Sequence, residues 1–311
     1  MREGGRAMRR WMLAPRRWAL LLALAATVGG GAPAARGQAP GDSGSSGVGF
    51  RDPFLDGGGV GPELVPIPGG AFIMGSRPGA PGAQPFEVPH EVVLAPFAMA
   101  RREVTNAEYA RFLGEVADRD GDGVPYVVAD GAGLRHEAGG YRPADGAEQL
   151  PVVGVSWQGA LAYGRWLSRR TGQAYRLPTE AEWERAARAG SAATWPWGEA
   201  PGAGRLNCAG PGGRLAPVGS YPADAYSVFD LLGNAWEWTL DCFAPDFYFY
   251  APARDPRLVD RACLAPVIRG GSFQDAPALC RPGFRVNFWW RGAPSIGFRV
   301  VREIRAPARP R

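Results

Sequence analysis

This chain of 311 residues contains two His, four Cys and no Lys, so few of its side chains could act as a soft metal ligand, an imidazole base or an amine nucleophile. All 35 basic residues are Arg, and the absence of Lys excludes Schiff-base chemistry and the phosphate-binding lysine of P-loop proteins. The two histidines, His90 and His136, are far apart in sequence, and no nucleophile-elbow motif surrounds a serine. We therefore expect neither a histidine-held iron site nor a Ser-His-Asp triad, and we assign both histidines to surface or hydrogen-bonded positions.

The four cysteines are an even set, which predicts disulfides if the protein is exported. Four cysteines allow three connectivities, and the sequence does not decide among them. We favour Cys242–Cys263, which would close a loop just before Arg269, and this leaves Cys208–Cys280 as the second pair. If both disulfides form, no thiol remains for catalysis.

The N-terminus has the pattern of an export signal. A basic region precedes an apolar run of 11 residues, Trp18 to Val28, which is too short to span a bilayer. We predict a signal peptide over residues 1–37 and a periplasmic or secreted protein with no transmembrane helix after cleavage. An uncleaved anchor is the alternative.

The net charge of +5 comes from the predicted signal peptide. Residues 1–37 hold seven Arg and one Glu, a net of +6, so that the remainder carries a net charge of −1. A near-neutral domain lacks the basic footprint of a nucleic-acid-binding protein. We expect no nucleic-acid partner, and we expect a monomer.

Composition divides the rest of the chain into a linker over residues 38–60, a domain over residues 61–303 and an Arg/Pro tail over residues 304–311. The domain begins with a strand from Glu63, a Gly-Gly turn and a second strand, and His90 to Met99 alternates as a further strand.

Three helices are predicted from their capping residues. Thr105 and Thr179 are each followed three residues later by Glu, which completes a capping box, and Ser156 opens the remaining helix, which Gly172 ends. Beyond Gly190, short apolar runs alternate with Gly/Pro turns. The pattern predicts an α+β, loop-rich fold with few helices.

Four blocks of the chain resemble, in order, the formylglycine-generating (sulfatase-modifying factor) family. They are residues 66–75 with 102–106, residues 151–157 with 176–183, residues 233–238, and residues 269–273 with 297–299. The resemblance implies a duplicated C-type lectin-like fold. The superfamily also contains proteins that resemble ergothioneine synthases, the pyoverdine maturation protein and ligand-binding receptors.

In that family, two cysteines five residues apart hold copper and oxidise a substrate cysteine. The resemblance places Asp275 at the first position and Cys280 at the second, with Ser272 beside them. Cu(I) prefers soft thiolates, and the Asp275 carboxylate is a hard oxygen ligand. We therefore expect no high-affinity copper site, and we expect Cys280 to form a disulfide.

Calcium is the metal that the resemblance favours. The ligands carried over are the carboxylates of Asp230 and Glu237 and the main-chain carbonyls of Gly233 and Ala235, which are hard oxygen donors suited to Ca²⁺. Half of an EF-hand loop also occurs at residues 118–123, with Asp118, Asp120 and Asp122 as a weaker calcium candidate. The alternative is a solvated acidic turn, because Ala129 stands where the bidentate Glu is required.

The expected function is binding of a protein, peptide or glycan ligand by a domain that lacks the two-cysteine copper site. Arg281, Arg285 and Trp290 would line the ligand groove, since aromatic residues and Arg anchor interfaces. Packing in the core is the equal alternative for the Trp290 segment. The alternative function is an oxidase that modifies a protein cysteine or a small aromatic substrate in the same groove.

Overall fold

The helices begin where the sequence places capping side chains. Helix α1 (Asn106–Glu115) and helix α3 (Glu180–Arg188) both start with the predicted capping box. Helix α2 (Trp157–Thr171) is capped by Ser156 and ends at Gly172, whose φ angle is 71°. A single-turn helix, α4 (Phe247–Tyr250), has no capping side chain. The capping predictions are thus confirmed, because each depends on residues only three apart.

The computed structural model describes residues 48–127, 133–208, 212–260 and 262–304. In these ranges the strands are β1 (Leu64–Ile67), β2 (Gly70–Met74), β3 (His90–Leu94), β4 (Phe97–Ala100), β5 (Leu134–Glu137), β6 (Gly140–Pro143), β7 (Tyr175–Arg176), β8 (Trp236–Cys242), β9 (Pro266–Arg269), β10 (Arg285–Asn287), β11 (Ile296–Gly297) and β12 (Val301–Glu303).

The strands form two four-stranded sheets and two hairpins. The first sheet has the order β1-β4-β12-β7, and the second has the order β10-β9-β8-β11, in which β11 is parallel to β8 and the other pairs are antiparallel. Strands β2 and β3 pair with each other, as do β5 and β6. The α+β class with few helices is confirmed.

The predicted strands are present, with one difference. Strands β1 and β2 lie on either side of the predicted Gly-Gly turn, and β1 pairs with β4 while β2 pairs with β3. The single strand predicted from His90 to Met99 is two strands, because it is interrupted at Ala95 and Pro96, and proline cannot donate to a ladder.

Aromatic side chains fill the core between these elements. Around helices α1 and α2, Tyr109, Phe112, Tyr163 and Trp166 pack against one another with ring centroids 5.1 to 5.9 Å apart. The inward face of helix α3 is led by Trp183, which is completely buried. The second sheet and its loops pack against these helices.

The linker prediction was wrong for residues 48–60, which pack against the domain. Phe54 is 4% exposed and meets Trp166 at 5.7 Å between ring centroids. The carboxylate of Asp52 accepts a 2.7 Å hydrogen bond from the hydroxyl of Tyr175. An aromatic anchor and a buried hydrogen bond outweigh the Gly-rich composition of this stretch.

The chain divides into two compact units, residues 1–43 and 44–311, and every described residue belongs to the second. The predicted signal peptide and most of the predicted tail lie outside the described residues. None of the described helices is long and apolar enough to cross a membrane.

Candidate functional site

The segment that follows strand β9 brings the main chain directly against Cys280. Gly270 and Gly271 turn the chain with φ angles of 99° and 74°. A Cβ atom at Gly271 would collide with Sγ of Cys280, so only glycine allows this approach. The next residue, Ser272, is 1% exposed.

All four cysteines form disulfides in the structure. The pairs are Cys208–Cys280 and Cys242–Cys263, with Cα atoms 6.7 and 5.7 Å apart. Cys280 is completely buried, and its sulfur is bonded to that of Cys208. Every cysteine of the chain is therefore paired in this structure.

Asp275 and Ser272 lie beside this disulfide and bond to each other. The hydroxyl of Ser272 donates to Oδ2 of Asp275 at 2.6 Å, and the main-chain N–H of Ser272 donates to the same oxygen at 2.9 Å. Sγ of Cys280 is 4.0 Å from the carbonyl oxygen of Ser272. The structure thus brings the three candidate catalytic residues together, but the Asp275 carboxylate is turned onto Ser272.

The two arginines assigned to the ligand groove are buried, which corrects that part of the prediction. Arg281 is 1% exposed, and its guanidinium donates to Oγ of Ser76 at 2.7 Å and to the carboxylate of Glu87 at 3.2 Å. Arg285 is completely buried and donates to both oxygens of Glu180 at 2.7 and 2.9 Å. Neither guanidinium is available to a ligand, because each already neutralises a buried carboxylate.

Trp290 is half-buried and lies elsewhere on the surface of the fold. Its main-chain N–H donates to the carbonyl of Leu264 at 3.3 Å, and Arg291 lies 5.0 Å above its ring. The neighbouring Trp289 is exposed and stacks on Trp290 with 6.4 Å between ring centroids. Of the predicted groove residues, only this aromatic segment presents surface to solvent.

Helix α3 supplies the carboxylates that hold the β9 segment in place. Glu184 is fully buried, bonds to the guanidinium of Arg269 and pairs with Arg188 at 2.7 Å. Burial acts against the charged form of Arg269, but the Glu184 carboxylate raises its pKa. Although burial alone would raise the pKa of Glu180, the guanidiniums of Arg285 and Arg269 lower it. Arg269, at the end of strand β9, therefore holds the main chain of this segment in position.

One of the calcium ligands carried over from the family is engaged by other groups in this structure. Glu237 is completely buried, and its carboxylate accepts from Nε of Arg299 with both oxygens at 2.8 and 2.9 Å, from Nη2 of Arg299 at 2.6 Å and from the indole of Trp183 at 2.8 Å. A carboxylate has about four lone-pair sites, so these three N–H groups occupy most of them. Calcium binding through Asp230, Gly233, Ala235 and Glu237 stays a prediction.

Two other buried carboxylates near Arg299 each have an oxygen without a hydrogen-bond partner. They are Oε2 of Glu103 and Oδ1 of Asp230. Burial, and next the negative charge of Asp230, raise the pKa of Glu103 well above its usual range. Burial also raises the pKa of Asp230. The sequence analysis did not single out Glu103. Its hydrogen-bond partner, Asn234, lies 131 residues later in the chain, and no local motif indicates that contact.

The acidic loop at residues 118–123 bonds mainly to itself. Oδ1 of Asp120 accepts the main-chain N–H of Asp122 at 3.0 Å and that of Val124 at 2.8 Å, and Asp118 pairs with Arg119 at 3.1 Å. These contacts are those of a solvated acidic turn. Position 129 of the half EF-hand lies outside the described residues.

The two histidines lie on different hairpins, where each packs on a tyrosine. His90 lies 4.4 Å from the ring of Tyr248, and His136 lies 4.7 Å from that of Tyr141. Within the described ranges, no group of three or more His, Cys, Asp or Glu side chains is arranged to hold a metal ion.

Known proteins share the sequence of this domain. Residues 56–304 match the family described as the sulfatase-modifying factor enzyme 1-like domain. The chain is 34% identical to the formylglycine-generating enzyme of Mycobacterium tuberculosis over 310 residues, covering 78% of this chain and 98% of that enzyme. It is 33% identical to the inactive C-alpha-formylglycine-generating enzyme 2 of Mus musculus, covering 79% of this chain and 87% of that protein.

A solved structure agrees with the fold. PvdO from Pseudomonas aeruginosa superposes with a TM-score of 0.69 at 31% sequence identity, covering 84% of this chain and all of that protein. The C-type lectin-like fold expected from the resemblance is thereby confirmed. This protein belongs to the sulfatase-modifying factor family.

Proposed function

We propose that this protein is an exported member of the family that binds a protein, peptide or glycan ligand and has lost the two-thiolate copper chemistry. The observation that carries the proposal is the state of Cys280, which is buried and bonded to Cys208. The position five residues earlier is Asp275, a hard oxygen donor that Cu(I) does not favour. The family includes a relative whose name marks it as inactive, which is consistent with such a loss.

The two disulfides also support the proposed export. Two disulfides persist in an oxidising compartment and are rare in the reducing cytosol. Edman sequencing of the mature protein from the periplasm or medium of a bacterial host should show that the N-terminal apolar run has been removed. Retention of the whole N-terminus in the membrane fraction would instead support an uncleaved anchor.

The first test of the proposed function counts thiols. The protein, denatured without a reductant, should show no reactive thiol, and four should appear after reduction. A chelator competition should show that the unreduced protein takes up no Cu(I). Two free thiols together with one tightly bound Cu(I) per chain would contradict the proposal.

The second test rebuilds the missing site. Cys208→Ser frees the Cys280 thiol, and adding Asp275→Cys in the same protein creates two thiols five residues apart. Because the surrounding scaffold is that of the family, we expect the double variant to bind Cu(I) at least tenfold more tightly than Cys208→Ser alone. Equal affinity in the two variants would mean that more than the thiolates has been lost.

An oxidase remains the second candidate function, since the curated relatives include a formylglycine-generating enzyme. The discriminating experiment incubates the unreduced protein with oxygen and a cysteine-containing peptide, and follows the peptide by mass spectrometry. The binding role predicts an unmodified peptide. Conversion of the peptide thiol would establish an oxidase that works without a free thiol of its own.

A further inference from the structure

Strand β2 has an outer edge that no other described strand covers. It pairs with β3 alone, and β3 is bonded on its far side, where the N–H of Val93 donates to the carbonyl of Ala253 at 2.7 Å and the carbonyl of Val93 accepts from Asp255 at 2.9 Å. Val93 lies opposite Ala71, so the main-chain groups of Ala71 and, two residues further on, of Ile73 point away from β3. The sheet therefore leaves these groups unused.

Helix α3 occupies both ends of this edge with side chains. At one end, the guanidinium of Arg185 donates to the carbonyl of Ala71 at 3.1 Å and to the two carbonyls that precede the strand, at 3.0 and 3.3 Å. At the other end, the N–H of Gly75 donates to the carboxylate of Glu184 at 2.8 Å. Between these ends, the N–H and the carbonyl of Ile73 have no partner in the described part of the chain.

A cavity of about 300 Å³ adjoins Ile73, and its lining is positively charged. The lining contains no Asp or Glu but three arginines, Arg77, Arg185 and Arg188. Arg77 and Arg188 each pair with a glutamate, whereas Arg185 has no carboxylate partner within the described ranges. A guanidinium has five N–H donors, and the three bonds to main-chain carbonyls leave one N–H on each terminal nitrogen of Arg185.

We propose that this cavity binds the C-terminal carboxylate of a peptide. The two remaining N–H groups of Arg185 would hold the carboxylate, because a guanidinium is a charge-assisted donor to it. The peptide main chain would pair with Ile73, as an added strand does at an open sheet edge. Since helix α3 occupies both ends of the edge, a chain end fits where a segment that continued in both directions would not.

The surroundings of Arg185 prepare it for this role. Its guanidinium lies 5.6 Å from the centre of the ring of Phe72, and its three bonds to carbonyls hold it in place before any ligand arrives, which reduces the entropy lost on binding. Phe72 is half-buried and Ile73 is 53% exposed, so both offer apolar surface to the last side chain of the peptide. The inference rests on the proposed binding role, for which it names the ligand class and a site outside the predicted groove.

The probe is a mixture of acetylated pentapeptides randomised at their last three positions, prepared once with a free C-terminal carboxylate and once as the C-terminal amide. Both mixtures are passed over the immobilised full protein, and the retained peptides are quantified by mass spectrometry. We expect the wild-type protein to retain the acids about tenfold more than the amides, because only the acids offer a charged acceptor to Arg185. Equal retention would overturn the proposal, and this comparison needs no variant.

Two pairs of variants locate the site. Arg185→Gln should reduce retention of the acids to that of the amides, whereas Arg165→Gln, in an exposed arginine of helix α2 that does not line the cavity, should change it less than about twofold. Ile73→Pro removes the outward N–H and should weaken retention about fivefold, whereas Ile73→Val keeps that N–H and should weaken it less than about twofold. Urea unfolding checks that each variant is folded. Equal effects within either pair of folded variants would overturn the proposal.

The thiol count separates this inference from the proposed function on which it rests. Equal retention of acids and amides by a protein without free thiols would overturn the carboxylate site and leave the proposed loss of copper chemistry standing. Free thiols with bound Cu(I), in a protein that still retains acids over amides, would overturn the loss of copper chemistry and support the carboxylate site.

Discussion

Removal of the Cys208–Cys280 disulfide should be the most destabilising single loss of a cross-link in this protein. The two disulfides are nested, since Cys242 and Cys263 lie inside the loop that the outer pair closes. The outer pair spans 72 residues and the inner pair spans 21. With the inner pair closed, the effective outer loop is the difference between these spans, about 51 residues.

The expected magnitudes follow from the entropy of closing each loop in the unfolded chain. An effective loop of about 51 residues is worth about 4 kcal/mol, and the inner loop of 21 residues is worth about 3 kcal/mol. For a domain of this size, a loss of about 4 kcal/mol lowers the melting temperature by roughly 8–16 °C. The outer disulfide therefore stabilises the fold more than the inner one.

The assay compares Cys208→Ala/Cys280→Ala with Cys242→Ala/Cys263→Ala by urea unfolding, followed through tryptophan fluorescence without reductant. Each variant loses two sulfurs, so the inner pair serves as a matched control for lost packing. The reasoning would be refuted by an outer variant that loses less than about 1 kcal/mol, or less than the inner variant. Either result would mean that the outer disulfide constrains the unfolded chain less than its loop length predicts.

Three further predictions concern buried charges and the glycine turn. Glu184→Gln should cost about 3–5 kcal/mol in urea unfolding, because it removes the buried negative charge that Arg188 and Arg269 share. Glu199→Gln in an exposed ion pair should cost under about 1 kcal/mol, and equal losses would contradict this. Burial and a neighbouring carboxylate raise the pKa of Asp241 from 3.8 to about 7, so the stability that its protonated form contributes is fully present below about pH 4 and is lost as pH rises to about 7. Asp241→Asn should flatten the stability profile between about pH 4 and 7, and an unchanged slope would contradict the assignment. Gly271→Ala should cost about 1–3 kcal/mol more than Gly146→Ala, because both have φ near 75° but only the first would collide with a neighbouring atom; thermal unfolding of the two variants checks the difference.

Local signals in the sequence predicted the local features of this fold. The capping boxes at Thr105 and Thr179 were predictable from the sequence because their members are three residues apart. Each marks the start of a helix in the structure. The strand predicted from His90 is interrupted at Pro96 for an equally local reason, because proline has no N–H to donate to a neighbouring strand.

Pairings between distant residues were not predictable in this way. The groove prediction for Arg281 overlooked Glu87, which lies 194 residues earlier, and the calcium prediction overlooked Arg299, which lies 62 residues after Glu237 and bonds to its carboxylate. Residue type alone does not distinguish an arginine that faces a ligand from one that neutralises a buried glutamate. That distinction depends on which carboxylates the fold brings beside each guanidinium.

The arginines of the family motifs explain how a protein can keep the fold whether or not it keeps the copper chemistry. Arg269 bonds to Glu184 of helix α3, and Arg299 bonds to Glu237 at the start of strand β8. The Arg299–Glu237 pair joins two of the sequence blocks that resemble the family, and the Arg269–Glu184 pair joins one block to the residue that directly follows another, so those blocks are needed to build the scaffold whatever the site does. Copper binding would instead depend on sulfur at two positions, and one of them is Asp275. Similarity across the blocks therefore supports the fold strongly and the oxidation weakly, and Asp275→Cys in a Cys208→Ser background is the substitution that separates the two.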